Sequence, residues 1–359
     1  MNNLVVSANV LSGQAYWLPI LFIGLMGLAF LLYAILDGYD LGVGILLPFD
    51  KNELKMQVNT HKESTTTEKN RDRMIASIGP FWDANETWLV MAVGLLLIAF
   101  PSAHSQVLGH LYLPALVLLV GLMLRGVAFD FRAKAPTEHK LRWDWAFKGG
   151  SLLATLAQGY MLGRYVGGFE TGLAAYAFAL LSAVCVSAGY SFIGAAWLVM
   201  KTEGELQAQA VRWARTTLWL MVLGIGTVSI VSPLLNPEVF AKWFRLPEVI
   251  LLLMIPMVVT VLVVACDRYL AHYPYRGDMG CWFPFGAAVG IFVFSFIGLG
   301  YSFFPYVVPG QLTVWQAASD VSALRFMGYG AVTVVPIILL YTAYSYRVFW
   351  GKARDLTYQ

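Results

Sequence analysis

Residues 78–100 read IGPFWDANETWLVMAVGLLLIAF, a polar and aromatic opening that runs directly into an apolar stretch ending at Phe100. Asp83 and Glu86 are i and i+3, so a helix places both on one face. A carboxylate near the centre of a bilayer costs roughly 2.5–3.5 kcal/mol on insertion scales. Two carboxylates with Asn85 and Thr87 beside them need a polar partner, a proton or a water-filled cavity. The apolar part is long enough for a membrane span, which needs ~20 residues, and the rest of the chain repeats that pattern.

Working outward, the 359 residues are 58% hydrophobic and 13% charged, where a soluble domain averages about 25% charged. The expected fold is an all-α polytopic membrane protein embedded in lipid. The formal charge of +3 is small and the basic residues collect between apolar runs, a pattern of topology that excludes nucleic-acid binding as a reading. Residues 1–17 hold no Lys or Arg, so the first apolar run reads as a retained span and not a cleaved signal. Cys185, Cys266 and Cys281 have no metal-type spacing.

Nine spans are expected: Tyr16–Phe49, Met74–Phe100, Gln106–Phe131, Gly149–Val166, Gly172–Met200, Thr216–Val231, Val249–Cys266, Cys281–Phe304 and Phe326–Trp350. Residues 50–73, with HKESTTTEKN at their centre, lack apolar periodicity and read as a solvated polar loop. Of the 24 Lys and Arg residues, 19 fall in that loop, in the other loops on its side and in the C-terminal end. Only four fall on the opposite side, and Arg125 lies within a span. The positive-inside rule then puts the N-terminus outside and the C-terminus and the 50–73 loop in the cytoplasm. No internal repeat or soluble domain is visible.

Polar residues inside these spans are the functional candidates. In the first span Asp37, Asp40 and Gly44 share a helical face, and Gly38 and Gly42 form a small-xxx-small pair suited to close helix packing. Asp37 and Asp40 either anchor the helix near the interface or line an inward-facing polar cavity. Measured along a regular helix from Arg73, Asp83 and Glu86 lie ~14 and ~18 Å deep, with Pro80 bending the helix below them. Trp82 is i−4 to Glu86 and can cover its carboxyl. In the third span Arg125 sits ~10 Å above Arg132 and needs a partner, for which Asp83 or Glu86 is the expectation. Asp130 lies near the interface. His61, His104, His110, His139 and His272 all fall in loops or near span ends, so this chain is expected to ligate no haem and no metal. No phosphate loop, dinucleotide fingerprint or serine elbow is present.

Two stretches carry a family resemblance: LDGYDLGVGILLPF (36–49) and IGPFWDANETWL (78–89). GVAFDFRAK (126–134), WDW (143–145), LTVWQAAS (312–319) and VVPIILLYTAYSY (334–346) extend it along nearly the whole chain. Together they resemble subunit II of cytochrome bd-type quinol oxidases; the cyanide-insensitive branch is the one considered within that family. The resemblance implies two four-helix bundles plus one extra helix. It also implies a bacterial cytoplasmic (inner) membrane location and a partner, subunit I, that carries haem b and haem d and the quinol-oxidising loop. The complex would oxidise quinol and reduce dioxygen to water, drawing its protons from the cytoplasm. It implies a role in proton delivery for Asp83, with Trp82 and Asn85 at neighbouring motif positions. It leaves room for a small third subunit and a structural quinone. Phe81 stands where many members carry His and Ala84 where many carry Gly, and the 50–73 loop is longer than usual. Taken on the residues alone, a stand-alone secondary transporter using intramembrane carboxylates is the competing class. That reading calls for an inverted repeat and broken helices in matching halves, and the sequence shows neither.

Overall fold

The structure, a computed structural model, describes residues 13–49, 66–246, 248–274 and 278–353. Long apolar runs in lipid leave the backbone no water to bond with, so they close their hydrogen bonds within helices. The described elements are α1 (Gly13–Leu46), α2 (Thr66–Ile78), α3 (Trp82–Ala99), α4 (Pro101–Lys134), α5 (Thr137–Val166), α6 (Leu173–Lys201) and α7 (Gly204–Leu235). They continue with α8 (Pro237–Trp243), α9 (Glu248–Leu252), α10 (Met254–Ala271), α11 (Phe283–Phe303), the hairpin β1 (Tyr306–Val308) and β2 (Leu312–Thr313), α12 (Val314–Ala317) and α13 (Val321–Val348).

Eight of the helices are long and apolar enough to cross a membrane. α5 is a further long helix of 30 residues, about 45 Å at 1.5 Å per residue. Its polar beginning, TEHKLRWDW, dilutes the apolar character of the rest of the helix. The fold is therefore all-α and polytopic, as the apolar runs require.

The long helices form two closed rings of four. α1, α3, α4 and α5 pack in sequence, with α5 returning to α1; α6, α7, α10 and α11 do the same, with α11 returning to α6. The rings meet where α1 and α5 pack on α6, and α13 stands outside both against α1. The α1–α6 contact is made by glycines. A Cβ on Gly42 would stand 1.8 Å from the Tyr190 carbonyl oxygen, and one on Gly194 2.6 Å from Gly42 C. The Gly38/Gly42 pair thus packs as its spacing predicts.

Two expectations about the second span need correction. Met74–Phe100 is not one bent helix: it breaks at residues 79–81 between α2 and α3. Pro80 follows Gly79 and can donate no backbone hydrogen bond, and the two together end α2 where a bend was expected. The expected polar loop also ends early, since residues 66–73 are the first turns of α2. Ion pairs to Arg132 of α4 and Asp144 of α5 hold that helix in place. Residues 50–65 lie outside the described residues.

Candidate functional site

The break before Trp82 moves both acids of the motif to the start of α3, so depths counted along a helix from Arg73 do not apply. Asp83 lies in the first turn and is exposed on the surface of this chain. Glu86, one turn on, is partly buried, with 28% of its side chain accessible.

Arg125 on α4 collects the buried acids. Its Nη1 donates to Asp37 Oδ1 at 2.7 Å and its Nη2 to Glu86 Oε2 at 3.1 Å. Asp37 and Arg125 are essentially inaccessible. The expected partner Glu86 is therefore present, Asp83 is not one, and Asp37 is added from a helix distant in sequence. Trp82 lies with its ring 5.8 Å from the guanidinium carbon of Arg125 and against Phe129, centroids 4.8 Å apart. It caps the cation, where the spacing had suggested cover for Glu86.

Asp40, one turn after Asp37, is fully buried and has a different partner. Asn85 Nδ2 donates to Asp40 Oδ2 at 2.8 Å and approaches Tyr39 Oη at 3.0 Å and the Leu36 carbonyl at 3.3 Å. Tyr346 from α13 donates to Asn85 Oδ1 at 3.2 Å, and the hydroxyls of Tyr39 and Tyr346 are 2.7 Å apart. Beyond Asp37, Gln158 on α5 joins two more tyrosines, donating to Tyr33 Oη at 2.6 Å and accepting from Tyr190 at 2.8 Å. Tyr33, Tyr39, Gln158, Tyr190 and Tyr346 were missed in the sequence. A neutral polar side chain in a span is cheap enough to pass as packing, and only Gln158, within SLLATLAQGYML, stands out there.

A second network holds α2. Asp144 of the WDW stretch, fully buried, pairs with Arg71 at 2.8 Å and with Arg132, and Arg132 Nη2 reaches Asp72 at 2.7 Å. Arg71 also donates to the Pro48 carbonyl at 3.1 Å. Asp130, a supporting polar candidate near the interface, is exposed on this chain's surface, and the acids on Arg132 are Asp144 and Asp72.

Charge balance separates the two networks. Around Asp144, two guanidiniums meet two carboxylates and the sum is zero. Around Arg125, three carboxyls (Asp37, Asp40 and Glu86) face one guanidinium. Burying an uncompensated charge is costly, and the excess of acid sets this cluster apart. The Asp144 network is balanced and ties helices together, whereas the Arg125 network carries an excess of acid.

Paired four-helix bundles with an acid-rich cluster inside the first define an integral membrane protein with charged groups buried among its helices. The chain belongs to the cytochrome bd terminal oxidase subunit II family, which matches residues 18–349. It is 29% identical to the Escherichia coli K12 cytochrome bd-I ubiquinol oxidase subunit 2, over 91% of this chain and 93% of that one. It is 28% identical to the Bacillus subtilis cytochrome bd ubiquinol oxidase subunit 2, over 90% and 94%. Its fold is similar to a chain of the bd oxidase from Geobacillus thermodenitrificans, with TM-score 0.72 at 16% identity over 92% of this chain and 98% of that one.

Proposed function

We propose that this chain is the subunit of a bd-type terminal oxidase that ligates no haem, in a complex that oxidises quinol and reduces dioxygen to water. Haems b and d of the partner subunit I supply the electron transfer and the dioxygen chemistry. This chain contributes to assembly and to proton supply from the cytoplasm. The observation that carries the reading is the excess of carboxyls over guanidinium around Arg125, in a chain of this family. Asp83, exposed on the first turn of α3, takes protons at the surface. Glu86, partly accessible and bonded to Arg125, passes them to the buried pair Asp37 and Asp40. Asp130, also exposed, stands at the same level, since Phe129 beside it touches Trp82.

The described histidines support placing the haems elsewhere. His104, His110, His139 and His272 lie near helix ends. His110 is stacked on Phe169 at 4.7 Å, with Nδ1 2.8 Å from the Gln106 carbonyl. The excess of Lys and Arg in the alternate loops supports a cytoplasmic C-terminus and a cytoplasmic 50–73 segment. Family membership favours this reading over a stand-alone transporter.

The test is oxygen consumption per haem d by the assembled complex across a range of pH. Asp83→Asn is expected to keep the haem spectrum and lose most of the turnover, with Glu86→Gln showing a milder loss. Full activity per haem in Asp83→Asn at every pH would remove it from the path. A fall only in proportion to haem would make it structural.

A further inference from the structure

We propose that Tyr346 is a positioning residue for Asp40, and that the short segment after α13 is the strap that holds it there. The inference rests on the reading that Asp40 handles protons.

The hydrogen bonds around Asn85 run with the NH2 end toward Asp40 and Tyr39 and the carbonyl end toward Tyr346. Tyr39 and Tyr346 share a single contact at 2.7 Å, and only one of them can donate across it. If Tyr39 donates, the Tyr346 hydrogen is free for Asn85 Oδ1 at 3.2 Å. Both hydroxyl hydrogens are then used, and the amide turns its NH2 end to Asp40 and Tyr39. Turning the amide over gives the other arrangement: Tyr346 donates to Tyr39, Tyr39 donates to the amide carbonyl, and the NH2 end donates to Tyr346. The direction of the tyrosine pair and the end of the amide that faces Asp40 are therefore set together, through the Tyr346 hydroxyl. An NH2 end donates to an ionised carboxylate, whereas a carbonyl end would accept from a protonated one. Each direction of the tyrosine pair fits one form of Asp40, and without the Tyr346 hydroxyl the amide loses that link.

Tyr346 is carried on the least embedded helix. Along α13 the side chains Phe326, Tyr329, Val332 and Leu340 are 70–79% exposed. The end of the helix that bears Tyr346 is tied down by residues 349–353. Lys201 Nζ donates to the Phe349 carbonyl at 2.7 Å, and the Ala353 N–H donates to the Lys201 carbonyl at 2.8 Å. Lys352 Nζ donates to the Thr202 carbonyl at 2.9 Å and pairs with Asp278 at 2.7 Å. Phe81 stacks on the Tyr346 ring with centroids 4.5 Å apart. The last helix is thus fastened to the second bundle by its tail, while its tyrosine completes a network in the first. The ionisable groups that face Asp40 are Asp37 and Tyr39 on its own helix, Glu86 on α3, Arg125 on α4 and Tyr346 on α13.

The experiment uses the complex with its partner subunit and measures oxygen consumption per haem d against pH. Tyr346→Phe keeps the ring and its stack on Phe81. It is expected to retain haem, to lower turnover roughly 2- to 10-fold as loss of one buried hydrogen bond would, and to change the pH profile. Lys352→Ala should act in the same direction, and Lys352→Arg should restore much of the rate. Wild-type turnover and pH profile in Tyr346→Phe, beside a slow Asp40→Asn, would overturn the positioning role and leave the proton reading standing. Wild-type behaviour of Asp40→Asn would overturn both. Loss of haem in step with turnover in Tyr346→Phe would make the residue structural. A normal Lys352→Ala beside a slow Tyr346→Phe would remove the strap.

Discussion

Arg125 holds its cluster together because it is the only cation that touches it among the described residues. Removing one partner of a buried pair leaves the other charge uncompensated, at a cost of about 3–5 kcal/mol. Arg125→Gln is therefore expected to lower sharply the yield and melting temperature of the assembled complex. Arg125→Gln with Asp37→Asn should recover part of both, because the second change removes the stranded acid. Thermal melts of the purified complexes check this; a double variant no better than the single would show that Asp37 is not the main partner. Asp37, Asp40, Glu86 and Arg125 were each legible as charges in apolar runs. Their pairing was not, because Asp37 and Arg125 stand 88 positions apart, and spacing along a helix orders only near neighbours. Asp83 shows the reverse: the motif picks it out, and only the helix break reveals that it opens on the surface.

Among the elements, α1 and α6 approach so closely that a methyl group has no room between them. A Cβ on Gly42 would meet backbone, which cannot move aside as a flexible side chain can. Overpacking of this kind costs typically 1–3 kcal/mol, occasionally more, so Gly42→Ala should separate the two bundles and lower complex yield. Gly24→Ala on the same helix has open space around it and should be tolerated, which a parallel purification of both variants measures. The strap is held from the loop between α10 and α11. Burial pushes the Asp278 carboxyl up, but hydrogen bonds from Lys352 and Gln207 outweigh it and leave the group below the usual carboxylate range. A carboxyl lowered on folding stabilises above its unfolded value, about 3.9, and that contribution fades as pH falls through the folded one. Protection of the amides in residues 349–353, relative to an unstructured chain at the same pH, should therefore be high at neutral pH and fall only below about pH 4. In Lys352→Ala it should be low at both; protection in the native strap that ignores acid would show that the ion pair does not hold it.

For the whole molecule, the distribution of basic residues makes a topological prediction. Reporter fusions after Glu63 and Glu138 should read as cytoplasmic and one after Ser105 as external. A reversed pattern would put Asp83 at the wrong face for uptake from the cytoplasm, and the proposed proton route would fail. The two rings of four make the molecule a pair of similar bundles bridged by α1, α5 and α6. The family resemblance implied this pairing, while the letters show no repeat, because lipid-facing positions accept almost any apolar residue and similar bundles need no similar letters. The 34-residue α4 turns Leu113, Leu116, Met123 and Phe131 outward, each 56–68% exposed, as a helix facing lipid or another subunit must.

The sequence by itself determined the class of the protein, the positions of its long helices and the motifs that name its family. It could do so because the bilayer imposes span length and internal hydrogen bonding locally, residue by residue. It also determined the close packing of Gly38 and Gly42, since small side chains four apart can only make a groove. The tertiary structure alone decided that Asp37 joins Glu86 on Arg125, that Asp144 bridges Arg71 and Arg132, and that Tyr346 reaches back to Asn85. Those outcomes depend on which helices stand side by side, and that choice is made by whole faces fitting together.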